Sequence, residues 1–280
     1  GRTEATGRGV QYTLQAFFRQ QRDVKKTGLS VGLGGKRVIV QGLGNVGYHA
    51  ALFLSQHDGC RITHVLEREG AIVDPGGVDI AALHEHMIET GGIQDYPGFT
   101  ESGPEMLEAE ADILIPAAME GVIDQDNAPR IRTPLIIEAA NGPVTAAGDA
   151  ALRDRGVVII PDFCANAGGV TVSYFEWIKN LTHIRFGRIQ RRQLENQFEA
   201  LIAGVESITG KPFPADHRNA VLSGATEINL VRSGLEDTMR GAYSAISATW
   251  NDTDNVPDLR TAAMMIAVDR VAQSYISIGI

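Results

Sequence analysis

Three glycines, Gly42, Gly44 and Gly47, stand as G-x-G-x-x-G inside "VIVQGLGNVG". Each position has a mechanical task when such a loop holds a pyrophosphate. Gly42 permits a tight turn, Gly44 removes the Cβ that would block phosphate, and Gly47 lets a helix lie close to the preceding strand. The helix that opens here brings the N–H groups around Asn45 and Val46, and about half a positive charge, to bear on an anion. Glu67 ends the next β-forming run, twenty residues beyond Gly47. A carboxylate there accepts hydrogen bonds from the adenosine ribose hydroxyls and repels a 2′-phosphate, so NAD is the expected ligand. Its neighbour Arg68 keeps NADP open, because a guanidinium pairs with a 2′-phosphate.

The elements that position these residues follow from the pattern. Thr6–Gln20 carries Val10, Leu14, Phe17 and Phe18 on one helical face. After a Gly-rich break come Arg37–Val40 as a strand, Tyr48–Gln56 as a helix, Arg61–Glu67 as a strand and Val78–Glu89 as a helix. Ala111–Ala117 and Pro134–Ala139 read as strands, Thr145–Gly156 as a helix and Val157–Pro161 as a further strand. Short, continuous apolar strands alternating with helices predict an α/β, Rossmann-like, doubly wound and mostly parallel sheet. From Gly168 the β signal stops and helical patterns run to the end, broken at Gly210–His217 and Asn251–Asp258, with Asp258 as a helix start. This divides the chain into a dinucleotide-binding domain, residues 1–184, and a helical C-terminal segment, 185–280, that packs on it rather than standing alone.

Composition narrows the class. The chain has 280 residues, a net charge of −9 and two cysteines. Such a length buries a core without disulfides, and Cys60 and Cys164 form no disulfide framework, so a reducing, cytoplasmic setting is expected. The acidic balance argues against a nucleic-acid partner, and no apolar run nears the ~18 residues of a membrane span. His84 and His86, two apart, share no helical face, and no cluster has metal-ligand spacing, so no metal is expected. The chain opens at Gly1 without Met, as a cut-down chain would.

The motifs then gather into a family pattern. "GRTEATGRGV", "VQGLGNVG", "ADILIPAAMEGVI", "EAANGPVT", "PDFCANAGGVTVSYFEW" and "DLRTAAMMIAVDRVAQSY" occur in that order. The set resembles the cofactor domain of the glutamate/leucine/phenylalanine/valine dehydrogenases, and "VSYFEW" resembles the glutamate branch. The resemblance covers Gly1 to about Trp177 and about Asp258 to the end. The stretch from about Arg185 to Leu235, with a basic run at Arg185, Arg188, Arg191 and Arg192, matches no motif and reads as a helical insertion turning at Lys211–Pro214.

The resemblance implies roles residue by residue. Thr6 contacts the nicotinamide carboxamide, Ala117 and Ala118 line the nicotinamide ribose, and Asn141 bonds beside it. Asn166 serves both the nicotinamide and the amino-acid head of the substrate. Val170 and Ser173 face the substrate side chain, the Ser173 hydroxyl donating to a γ-carboxylate, and Arg2 lies near the cleft. A serine inside a helix also back-bonds readily to the preceding turn, so that reading of Ser173 stays open. The resemblance further implies oxidative deamination of L-glutamate to 2-oxoglutarate and a homo-hexamer for the full-length protein. It assigns the catalytic lysine and aspartate to a separate N-terminal domain, so no catalytic residue is expected here and the chain alone should not turn over. Two rival readings are a non-catalytic nucleotide-sensing subunit and a dehydrogenase of leucine, valine or phenylalanine.

Overall fold

An apolar run shielded on both faces forms a strand at the centre of a sheet. "RVIVQ" does so as β1 (Arg37–Gln41), with Val38 and Val40 turned to one layer and Ile39 to the other. In the computed structural model, which describes residues 1–182, 188–214, 217–218, 221 and 227–279, β1 is the hub of a seven-stranded sheet. The side chains of residues 182 and 188–196 lie outside that description. β1 runs parallel to β2 (Arg61–Glu67) on one side and to β5 (Ile113–Pro116) on the other. β6 (Leu135–Ile137) and β7 (Val158–Ile160) extend the parallel half. The order is β4-β3-β2-β1-β5-β6-β7.

The expected alternation fails at two places. After β2 the chain turns at Arg68 and Glu69 into β3 (Gly70–Val73), which pairs antiparallel with β2, and β4 (Phe99–Thr100) pairs antiparallel with β3. A two-residue turn allows only an antiparallel return, so a hairpin replaces a crossover there. Between β5 and β6 the connection holds a single 3-10 turn, Ala128–Arg130, rather than an α-helix.

One face of the sheet is covered by α1 (Ala5–Arg19), which buries Val10, Leu14 and Phe17, and by α3 (Asn45–Asp58), which buries Ala50 and Leu54. α2 (Gln21–Thr27) follows α1 around Gln20, and α4 (Ile80–Thr90) packs on α3. The other face is sealed by Leu107, Ala128, Ile131 and Leu152, the last on α5 (Ala146–Asp154). Asp79, Thr145 and Asp258 each accept hydrogen bonds from the first-turn N–H groups of α4, α5 and α10 (Leu259–Ser277), which fixes those starts. The start at Asp258 is thus where the sequence puts it.

After α6 (Asp162–Ala165) and α7 (Gly168–Thr182) come α8 (Arg188–Thr209), α9 (Glu227–Asp252) and α10. α9 packs against α1 and α7, and α10 against α9 and β7. The α9 contact includes a buried polar knot. Asp23 is 0% exposed and accepts from Tyr243 Oη at 2.6 Å and Asn251 Nδ2 at 2.7 Å. Lys211–Pro214 is a break between helices, as the sequence implies. The remainder of that stretch falls partly outside the described residues, Arg185 and the side chains of Arg188, Arg191 and Arg192 included.

Candidate dinucleotide site

Strand order reverses beside β1, because β2 lies on one flank and β5 on the other. In open α/β sheets the crevice beyond the carboxyl ends of the strands at such a reversal takes ligands. The loop after β1 carries the glycines, and the loop after β5 carries Ala117 and Ala118. They touch: a Cβ on Gly42, whose φ is +86°, would come within 2.7 Å of Ala118 Cβ. A Cβ on Gly47 would meet Gly42 O at 1.9 Å and Ala117 Cβ at 3.3 Å. Gly44 is the opposite case, since a Cβ there would meet nothing within 4 Å. The glycines at the two ends of the motif are needed for packing; the middle one faces open space.

That space lies over the start of α3. No side chain caps this helix at Gly44, whereas Asp79, Thr145 and Asp258 cap α4, α5 and α10. First-turn N–H groups have no intrahelical acceptor, so those of Asn45, Val46 and Gly47 are available to an anion. The Asn45 side chain is spent otherwise: its Nδ2 donates to Thr3 O at 2.8 Å and ties the entry to α1 onto α3. Glu67 closes the loop from below, Oε1 accepting from Leu43 N at 2.5 Å. Glu67 also borders a cleft of 490 Å³ lined by Gln41, Arg68, Glu105, Glu108 and Arg130 among others. The charged lining is three carboxylates against two guanidinium groups, and Arg130 is paired to Glu108 at 2.6 Å.

A second cluster forms where the loops after β6 and β7 meet. Asn166 Nδ2 donates to Asn141 Oδ1 at 2.7 Å, joining two residues that the sequence separates by 25 positions. Just beyond, α7 starts so close to α1 that a Cβ on Gly9 would come within 3.0 Å of Gly168 Cα. Thr6 Oγ1 lies 2.5 Å from where a Cβ on Gly169 would stand. Gly7 plays the matching part against α3, 2.6 Å from His49 Cβ by the same measure. The small residues of "TGRG" therefore wedge α1 between the glycine-loop helix and α7. Val170 is 68% exposed. Ser173 Oγ donates to Gly169 O at 2.9 Å, the back-bond to the preceding turn, so its proton reaches a ligand only after the hydroxyl rotates. Arg2 Nη1 pairs with Glu176 Oε2 at 2.7 Å, one turn along α7 from Ser173.

Two polar groups were not singled out by the sequence. Glu138 directly follows β6, is 0% exposed, and accepts from Arg260 Nη2 at 2.6 Å. An acid at the end of the apolar run "PLIIE" was the available signal, since such a charge must find a partner. Glu4 accepts from Arg8 Nε at 2.8 Å and Arg232 Nε at 2.7 Å, locking the start of α1 to α9. Burial alone would raise the Glu4 carboxyl, yet Arg232 and Arg8 hold it down to about 2. Cys164 follows β7, but burial pushes its thiol up to about 12, which denies it a nucleophile's part.

A glycine loop at the sheet's switch point, an uncapped helix start and an acid ending the next strand define a Rossmann-like nucleotide-binding fold. The chain belongs to the Glutamate/Leucine/Phenylalanine/Valine dehydrogenase family, whose model matches residues 1–209. It is 47% identical over 274 residues to a probable glutamate dehydrogenase of Sinorhizobium fredii, covering 97% of this chain and 62% of that protein. It is 45% identical over 281 residues to a mitochondrial glutamate dehydrogenase of Dictyostelium discoideum, covering 100% of this chain and 55% of that protein. The chain thus spans less than two thirds of these relatives' length. Among solved structures, a hetero-hexameric glutamate dehydrogenase from Thermus thermophilus in its leucine-bound form aligns with a TM-score of 0.74 at 26% identity, over 100% of this chain and 54% of that one. The family model's match runs to residue 209, and the alignment to the Dictyostelium protein spans the whole of this chain, the stretch 185–235 included. No helix among the described residues is long and apolar enough to cross a membrane.

Proposed function

We propose that this chain is the nucleotide-binding half of a glutamate dehydrogenase, which deaminates L-glutamate oxidatively to 2-oxoglutarate and ammonia. The observation that carries the reading is the open space over Gly44 at the uncapped start of α3, with Glu67 fixed beside it. A nicotinamide dinucleotide, when bound, supplies the hydride acceptor. The chain's own residues bind and orient it. N–H groups of Asn45, Val46 and Gly47 hold the pyrophosphate, Glu67 Oε2 takes the adenosine ribose hydroxyls, and Ala117 and Ala118 leave room for the second ribose. Thr6 and the Asn141–Asn166 pair orient the carboxamide, while Asn166, Val170, Ser173 and Arg2 face the substrate. The carboxylate excess in the cleft favours NAD. Arg68, which makes no ion pair among the described residues, is the group that would admit a 2′-phosphate.

Proton removal from the substrate amine and hydration of the iminium need a base, and the family resemblance assigns these steps to a further domain. The chain by itself therefore binds without turnover, and the working protein is a hexamer in a reducing, cytoplasm-like compartment. The helical segment 185–280 belongs to the same folding unit, because α9 packs on α1 and α10 on β7. One observation favours a second substrate: with Ser173 Oγ given to Gly169 O and Val170 exposed beside it, the residues assigned to the substrate side chain also suit an apolar amino acid. Replacing Ser173 by Ala in the full-length enzyme raises KM for glutamate if its carboxylate is read there, and leaves it unchanged otherwise.

Calorimetric titration of the 280-residue protein with NAD⁺ and NADP⁺ tests the binding reading. NAD⁺ should bind more tightly, and Glu67→Ser should narrow the gap. A folded sample that binds neither refutes it, and glutamate-dependent NADH formation by this chain alone refutes the claim that it does not turn over.

A further inference from the structure

We infer that Arg260, carried on the last helix, is a positioning residue for the Asn141–Asn166 pair and acts on it through Glu138 and Asp162. The inference rests on the reading above, in which that pair meets the nicotinamide end of a dinucleotide.

The two loops that carry the asparagines are joined by one carboxylate-rich hub. Asp162 makes contacts to both. Its N–H donates to Glu138 Oε2 at 2.9 Å, and its Oδ2 accepts from Gly142 N at 2.8 Å. Its carbonyl accepts from Asn166 N at 2.8 Å. The residue next to Asn141 and Asn166 itself thus hang from the same side chain and main chain. Glu138 anchors the hub, but it does so with a fully buried charge. Its Oε1 has no hydrogen-bond partner among the described residues, and burial raises its pKa despite Arg260. A carboxylate in that position keeps its charge only if a cation stands against it.

Arg260 is that cation. Its Nη2 lies 2.6 Å from Glu138 Oε2, its Nη1 3.6 Å from Asp162 Oδ1, and its Nε 3.3 Å from Asp149 Oδ2. One planar guanidinium thus spans three carboxylates from three segments, which a single ammonium cannot match. Its own place is set by the cap on α10: Asp258 accepts from Thr261 N at 2.6 Å and pairs with Arg153 at 2.7 Å. The C-terminal helix therefore holds the register of the two loops, although it contributes no residue to the dinucleotide loop.

The test compares NADH with ADP-ribose, which keeps the adenosine and pyrophosphate but lacks nicotinamide. Affinities of both are measured for wild type, Arg260→Gln and Arg260→Lys, with thermal melts alongside. Arg260→Gln should weaken NADH by about tenfold, the worth of one well-placed charged hydrogen bond, and leave ADP-ribose within about twofold. Arg260→Lys should recover part of the loss. An equal fall for both ligands, or no fall for NADH, overturns the inference, because a merely structural residue would not separate them. If Arg260→Gln does not fold, Arg260→Lys carries the same comparison. A wild-type protein that binds neither ligand overturns the dinucleotide reading itself, and the inference with it.

Discussion

Replacing Gly47 by Ala places a methyl group 1.9 Å from Gly42 O, which is 1.5 Å short of the 3.4 Å at which ordinary contact begins. The neighbour is backbone and cannot swing aside. Gly42 is held by its own N–H to Leu66 O at 2.7 Å and by Ala118 on its other side. Relief must come from moving the start of α3 away from β1. Overpacking of this kind costs about 3 kcal/mol at the upper end, and the better helix propensity of Ala returns about 1 kcal/mol, for a net loss of about 2 kcal/mol. For a chain of this size that lowers Tm by about 4–8 °C. Gly44→Ala is the counterpart: its methyl meets no atom within 4 Å and its φ of −64° suits Ala. Stability should change by less than about 1 kcal/mol. The methyl stands where a phosphate would pass, so NAD⁺ affinity should fall at least about tenfold. Scanning calorimetry and titration of the two variants read the two effects separately. A Gly47→Ala protein that melts like wild type refutes the packing argument, and a Gly44→Ala protein that binds like wild type refutes the phosphate path.

Further outcomes follow from the buried groups. Glu4→Gln should lower stability at neutral pH; because the folded carboxyl titrates near 2 rather than 4.5, the deficit should shrink as pH falls from about 4.5 towards 2, as denaturant melts across that range will show. Tyr243→Phe removes one of the two side-chain donors to the fully buried Asp23 among the described residues and should cost about 1–3 kcal/mol; a change under about 0.5 kcal/mol would mean the knot contributes little. Cys60 and Cys164, both buried with thiols pushed up to about 12, should resist a thiol reagent at pH 8 in the native protein and react fully in denaturant; rapid native labelling of either would contradict the packing around it.

The sequence discloses those parts of the structure whose causes are local. β1, β2, β5, β6 and β7 announce themselves as apolar runs, and Asp258 announces the start of α10. β3 and β4 do not: four residues beginning with Gly70, and two at Phe99–Thr100, are too short to establish a period. Their strand character comes from pairing with β2, which is a tertiary cause. The glycine loop and Glu67 were legible because the one follows a strand and the other ends the next, at a fixed spacing. The family motifs marked Asn141 and Asn166, but not that they bond to each other. Arg260 and Glu138, 122 positions apart, and Arg232 and Glu4, 228 apart, have no local signature that couples them. The bond from the Asn45 side chain to Thr3 O has no local signature either, since only the folded chain brings that carbonyl alongside.

The hairpin that interrupts the alternation has a consequence for association between molecules. A sheet's rim offers unpaired N–H and C=O groups to any other extended chain. Here one rim is β4, two residues long, and the other is β7, three residues long and flanked by α10. Neither is long enough to template a growing ladder. β2, with seven residues and a buried apolar centre, would be a far better template, and it is β3, pairing along its outer edge, that keeps it from acting as one. The weakest point against aggregation is therefore the turn at Arg68–Glu69, where opening the hairpin would expose that strand.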